Sequence, residues 1–289
     1  MSTALAALVD LLDLERIERN LFRGRQPDEK RQRVFGGLVA GQALIAAGRT
    51  VDDRAVHSLH AYFLRPGDPT IPILYQVERT RDGRSFSTRR VTAIQNDRAI
   101  FTLSASFHAE ESTFEHQRAM PDVPPPEALE DWQTAMRKVL AERAPGDRKL
   151  EAWVARERPI ESRHVELMDY FGGRQAPHAE IWIRARGRLA DDPLLHRCVV
   201  AYASDMTLLD TAARPHPIEL LSDESDNASL DHAMWFHRPF RADEWLLYAQ
   251  ESPNMSGARG LTTGHFFRRD GTLVASVVQE GLFRIRRPT

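Results

Sequence analysis

The chain has 289 residues, long enough for two domains of ordinary size, and its 39 Lys+Arg against 41 Asp+Glu leave a net charge of −2. Those charges are interspersed rather than gathered into a basic arm, which argues against a nucleic-acid partner. A single cysteine, Cys198, allows no internal disulfide, so a reducing cytoplasm is the expected compartment.

In chain order, Met1 to Asp10 has no cationic start, and its apolar run stops at Asp10, short of a signal core or a membrane span. At the other end Arg287-Pro288-Thr289 is not the Ser-Lys-Leu peroxisomal address, so neither a targeting segment nor a membrane partner is expected. Val34 to Gly48 is apolar nearly all round and stops at a glycine, which predicts a buried helix. Strands are predicted at 57–64, 72–80, 85–95 and 99–108, punctuated by turns such as Arg81-Asp82-Gly83. Pro121 to Pro126 holds four prolines, after which 127–143 and 148–157 read as helices whose apolar stripes cover the protein's own surface. A strand at 179–186 precedes a helix from Leu195 to Asp210, and strands follow at roughly 230–238, 244–251, 258–268 and 272–285.

The order of helix then antiparallel meander occurs twice, and residues repeat with it. Tyr62-Phe63-Leu64-Arg65-Pro66 recurs as Trp235-Phe236-His237-Arg238-Pro239, a displacement of 173 positions. The same displacement carries Asn96-Asp97-Arg98-Ala99-Ile100-Phe101 onto Arg269-Asp270-Gly271-Thr272-Leu273-Val274. Two matches at one offset indicate a duplicated domain rather than a repeat array. The fold class is α+β, two antiparallel sheets each wrapped around a central helix. The expected division is 1–115 for the first copy, 116–160 for a helical connector and 161–289 for the second copy.

Several chemistries lack their motifs. No glycines stand at i and i+2, which removes the dinucleotide fingerprint, and Gln42-Ala43 follows Gly41 where a P-loop needs Lys-Ser/Thr. Gly83-Arg84-Ser85-Phe86-Ser87 fails the nucleophile elbow at its last position. His57 and His60 are three apart on a strand and should face opposite ways, and no cysteine or carboxylate cluster completes a tetrahedral metal site.

Three polar residues interrupt apolar segments of the second copy. Asp205 lies in the run from Cys198 to Leu209, where a carboxylate is costly unless hydrogen-bonded or shifted upward in pKa; alone, it reads as a solvent-facing residue beside Tyr202 and Leu209. Gln279 breaks Leu273 to Val278, and Ser229 opens the strand 230–236. A helix laid across the sheet brings all three to one end of it. In the first copy the 173 offset places Val56 and Ser106 opposite Ser229 and Gln279, and helix comparison places Gln42 opposite Asp205, so the set is not repeated.

The runs Val34 to Gln42, His57 to Asp68, Arg81 to Val91, Tyr202-Ala203-Ser204-Asp205, Leu230 to Pro239 and Val278-Gln279-Glu280-Gly281 resemble the bacterial acyl-CoA thioesterase II family. The likeness extends nearly end to end. It implies a tandem, or double, hotdog fold and a site made of an Asp on the second hotdog helix, a Thr or Ser before the Leu-Asp-His strand, and a Gln in the Val-Gln-Glu-Gly strand. In this chain these are Asp205, Ser229 and Gln279. The implied activity is hydrolysis of medium to long fatty acyl-CoA, broadly accepted, by a cytoplasmic homo-oligomer (dimer or tetramer) that uses neither cofactor nor metal.

The expected mechanism has Asp205 take a proton from a water molecule that Ser229 and Gln279 orient. The helix start at Gly36-Gly37 is a candidate to stabilise the developing oxyanion. Arg84, Arg89 and Arg259 are candidates for the CoA phosphates. Three rival chemistries compete with this mechanism. Ser229 could form an acyl-enzyme with His232 as base, which strand alternation disfavours. A hotdog enoyl-CoA hydratase would need a Gly-Asp-x-Asn-Pro-x-His pattern, of which only Gly67-Asp68 is present. A non-catalytic acyl-CoA-binding or sensing protein would need the pocket without the polar trio.

Overall fold

The computed structural model describes residues 1–27, 32–220 and 225–285; the tail Arg287-Pro288-Thr289 lies outside them. The first half opens with helix α1 (Thr3–Leu12), capped by Ser2, whose Oγ accepts from the Leu5 N–H. Leu5, Leu8 and Leu12 form its buried stripe. Two short strands follow, β1 (Glu15–Glu18) and β2 (Leu21–Gly24), then the central helix α2 (Gly36–Gly48), buried from Gly37 to Ala47. Strands β3 (Ala55–Phe63), β4 (Ile73–Asp82), β5 (Phe86–Gln95) and β6 (Arg98–His108) wrap around α2. Alternation sets the inward face: in β4 Ile73, Tyr75 and Val77 are buried while Leu74, Gln76 and Glu78 point out. Asn96 and Asp97, both at positive φ, make the tight turn between β5 and β6.

The connector holds helices α3 (Trp132–Arg143) and α4 (Arg148–Ala155), each capped by an aspartate, Asp131 and Asp147. Both start signals are local. The helix expected from 127 begins only at Trp132, because 126–128 form a separate turn and Asp131 takes the cap. The second half contains β7 (Ile160–His164), β8 (His178–Ala185), central helix α5 (Pro193–Ser204), the short α6 (Asp210–Ala213), and strands β9 (Ser225–Ser229), β10 (Asp231–Phe236), β11 (Leu246–Ser256), β12 (Arg259–Arg268) and β13 (Leu273–Ile285).

Strand order is β1-β2-β4-β5-β6-β3-β10-β13-β12-β11-β8-β7, with β9 added on β13. The sheets of the two copies therefore meet edge to edge. Antiparallel pairing of β3 with β10, from Tyr62 opposite Asp231 to Ser58 opposite Trp235, makes them one continuous sheet. Helices α2 and α5 pack antiparallel beneath it, with Gly37 against Tyr202 and Gly48 against Leu194, and one apolar core runs under both halves. The repeated arginine has a structural reason. Arg65 Nη1 donates to the Ala99 carbonyl and Arg238 Nη1 to the Leu273 carbonyl, in each copy tying the end of one strand to the start of its neighbour.

A bulge at His57 breaks the alternation of β3. His57 thereby bonds Ser106 on the outer face, the face from which His60 meets Trp235, so the two histidines share a side and do not oppose each other.

Candidate functional site

The predicted helix 195–210 is two helices. Helix α5 stops at Ser204, and Asp205 is its C-cap (φ −85, ψ 0), followed by a turn that leads into α6. Asp205 is thus outside the regular helix. Its counterpart is the C-cap of α2, Arg49 rather than Gln42. Helix ends correspond at an offset of 156 and strands at 173, so the second copy spends 17 more residues between helix and strand. That insertion carries α6 and Asp210. Ser229 closes β9 instead of opening β10; pairing of β9 with β13 sets Ser229 opposite Gly281.

The three predicted residues converge. Gln279 Nε2 donates to Asp205 Oδ1 at 2.6 Å and to Ser229 Oγ at 2.9 Å, while Ser229 Oγ–H donates to the same Asp205 oxygen at 3.3 Å. Gln279 is fully buried, and its Oε1 has no partner among the described residues. The N-terminus of α2 closes the other side. A Cβ on Gly36 would stand 2.7 Å from Asp205 Oδ2, and one on Gly37 would collide with the Tyr202 carbonyl, so glycine is what lets this helix end reach the carboxylate. The Gly37 N–H bonds Asp205, which leaves Gly36 as the remaining candidate of the pair for an oxyanion.

Burial pushes the Asp205 carboxyl up to about 6, against the opposing hydrogen bonds from Gln279, Ser229 and the Gly37 N–H. Asp210, which sequence reasoning did not single out, is pushed up to about 7 by burial and then by the charge of Asp205. Both line a cavity of ≈ 550 Å³ together with Ser229, Phe63 and two exposed cations, Arg33 and Arg65. A carboxylate that is ionised near neutrality, held by three donors and open to a cavity, can accept a proton from water bound there.

The rival arrangements are not assembled. His232 is buried, its Nε2 lies 2.8 Å from Ser204 Oγ, and burial lowers its pKa to about 4, so it does not serve Ser229 as base. Asp68 accepts from the Thr70 N–H and hydroxyl on an exposed turn, a local cap and not an acid–base group. Among the guessed phosphate contacts, Arg89 is corrected: it is 1% exposed and committed to Thr50 and Asp82. Arg259 pairs with Glu280. The cations of the cavity, Arg33 and Arg65, were missed because only the fold brings them beside Ser229.

The chain resembles known proteins along most of its length. A family profile described as acyl-CoA thioesterase matches residues 150–282, and one described as acyl-CoA thioesterase N-terminal domain matches 26–108. Acyl-coenzyme A thioesterase 8 of Homo sapiens is 46% identical over 96% of this chain and 88% of its own length. The crystal structure of an acyl-CoA thioesterase II from Mycobacterium marinum superposes with a TM-score of 0.79 at 45% identity, covering 96% of this chain and 98% of that one. A hot dog fold protein from Alicyclobacillus acidocaldarius, 20% identical, matches the fold with a TM-score of 0.74 over 98% of this chain and 99% of its own. The chain belongs to the acyl-CoA thioesterase II family and is a thioester hydrolase with a tandem hotdog fold.

Proposed function

We propose that the protein hydrolyses medium- to long-chain fatty acyl-CoA, broadly, by direct attack of water activated at Asp205. Asp205 takes a proton as the water oxygen adds to the thioester carbonyl. The tetrahedral intermediate then expels the thiolate by breaking the C–S bond, and the proton passes to sulfur, giving fatty acid and CoA. Ser229 and Gln279 fix the carboxylate and the angle of attack, because an aspartate alone does not define it. The N-terminus of α2 faces the oxygen that gains charge. Arg33 and Arg65 receive phosphates of CoA at the cavity rim. The observation that carries this reading is the hydrogen-bonded convergence of Asp205, Ser229 and Gln279, from the C-cap of α5, β9 and β13, with Asp205 and Ser229 lining the cavity.

The duplication divides the chain at 1–115, 116–160 and 161–289 in this reading, with the chemistry in the second copy. We assign the protein to the cytoplasm and to a homo-oligomer. Among the described residues no helix is long and apolar enough to cross a membrane. Release of free thiol from acyl-CoA of graded chain length tests the function. Turnover that extends from medium to long chains supports it; stoichiometric binding without thiol release overturns it in favour of a binding protein.

A further inference from the structure

Asp205 shares its cavity with a second carboxyl. Asp210 borders the same space from the short helix α6, which the second copy inserts between its central helix and β9. The two side chains are held differently. Asp205 accepts from Gln279, Ser229 and the Gly37 N–H, three donors that favour its anion. Asp210 has neither a hydrogen-bond donor nor an ion pair among the described residues. The surrounding elements bring it no free cation. Away from the cavity it meets a small space of ≈ 10 Å³ lined by His164, Tyr170, Thr207, Arg214 and Gln250. Burial pushes the His164 imidazole down to about 3, so it is neutral, and raises the Tyr170 hydroxyl, so it keeps its proton. Arg214 is paired with Glu166, and β11 and β12, which pack on α6, bring no charged residue to either lining. On the cavity side Arg33 donates to the Asn227 carbonyl and Arg65 to the Ala99 carbonyl.

We propose that Asp210 is the general acid of the reaction, giving its proton to the sulfur of CoA as the C–S bond breaks; the inference deepens the hydrolase reading above and rests on it. Two carboxyls whose surroundings favour opposite protonation states divide the roles of base and acid. The water oxygen adds to the carbonyl carbon as Asp205 takes one of its protons. The intermediate then collapses, the C–S electron pair goes to sulfur, and the Asp210 proton follows it. Asp205 is left protonated and Asp210 ionised, and cavity water returns the proton from the first to the second. One water is consumed, and one fatty acid and one thiol leave. The direction of transfer is favourable: an alkyl thiol such as that of cysteine has a pKa of about 8.5, above that of Asp210, which burial and the charge of Asp205 push up to about 7.

The pH dependence of kcat on octanoyl-CoA, read as thiol release by wild type and Asp210→Asn, tests this. A reaction that needs Asp205 ionised and Asp210 protonated has a two-sided profile. Wild type should lose rate above about pH 7 as well as on the acid side. Asp210→Asn keeps the shape of the side chain and has no acidic proton to give. In folded protein its kcat should be lower by about tenfold or more, with the alkaline limb gone and the acid limb kept. Three outcomes for a folded Asp210→Asn protein overturn the assignment and leave the hydrolase intact: wild-type rate, a retained alkaline limb, or a lost acid limb. A wild-type profile that stays flat from about pH 7 to about pH 9 overturns it without any variant. Wild-type protein that releases no thiol overturns the hydrolase reading and this inference with it.

Discussion

The side-chain amide of Gln279 bridges Asp205 and Ser229, donating to the carboxylate at 2.6 Å and to the hydroxyl at 2.9 Å from a fully buried position on β13. A hydrogen bond to a charged group contributes about 1.5–3 kcal/mol, which corresponds to roughly 10–150-fold in rate. Gln279→Ala should lower kcat within that range. Gln279→Glu should be worse, because it sets a second buried carboxylate against Asp205. Steady-state thiol release for both variants checks the order.

Ser229 has a hydroxyl and no side-chain methyl. Its Oγ–H donates to Asp205 at 3.3 Å and its oxygen accepts from Gln279, so Ser229→Thr keeps both roles while Ser229→Ala keeps neither. Ser229→Thr should stay within about fivefold of wild type, and Ser229→Ala should lose roughly 10–100-fold. No acyl-enzyme should accumulate on Ser229 during single-turnover mass spectrometry, since His232 is bonded to Ser204.

The general base must be ionised. With the Asp205 carboxyl pushed up to about 6 by burial, kcat/KM should fall on the acid side with a midpoint near pH 6. Asp210, at about 7, is still mostly protonated where Asp205 titrates, so Asp210→Asn should leave that limb in place. A flat profile down to about pH 4.5 would contradict this account.

The same shift predicts a stability effect with a definite sign. Asp205 is raised from its ordinary value of 3.8, so between about 4 and 6 the native state binds more protons there than the unfolded chain, and stability falls as pH rises through that window. Asp205→Asn removes this cost. Its gain in Tm over wild type should be larger at about pH 8 than at about pH 4, as read by thermal melts.

Gly37 is a packing requirement. A side chain there meets the Tyr202 carbonyl, a backbone atom that cannot swing aside, so Gly37→Ala should separate α2 from α5 and cost about 1–3 kcal/mol in urea unfolding, with activity reduced as well.

Much of the scaffold is legible locally. The strand limits of both meanders follow from alternation and turn residues, and the repeated Arg-Pro motif marks equivalent places because Arg65 and Arg238 make the same kind of bond to a neighbouring strand. Helix α1 is equally legible in Leu5, Leu8 and Leu12 behind Ser2, although the same apolar run also resembles the start of a signal core. Other features depend on distant residues. The short strand β9 exists through pairing with β13, the β3–β10 seam joins two copies, and Arg89 is buried only because Thr50 and Asp82 receive its guanidinium. At the site, Asp205 and Gln279 stand out as polar breaks in apolar runs, and Ser229 as the polar residue ahead of a strand. Asp210, Arg33 and Arg65 do not, since each lies in a segment where a charge is ordinary until the fold turns it to the cavity.

The central claim is that Asp205 is the base. Its most direct test is kcat for acyl-CoA thiol release by Asp205→Asn beside wild type, in protein shown to be folded. The account predicts a loss of about 10²–10⁴-fold. Turnover near that of wild type in a folded Asp205→Asn protein would contradict it.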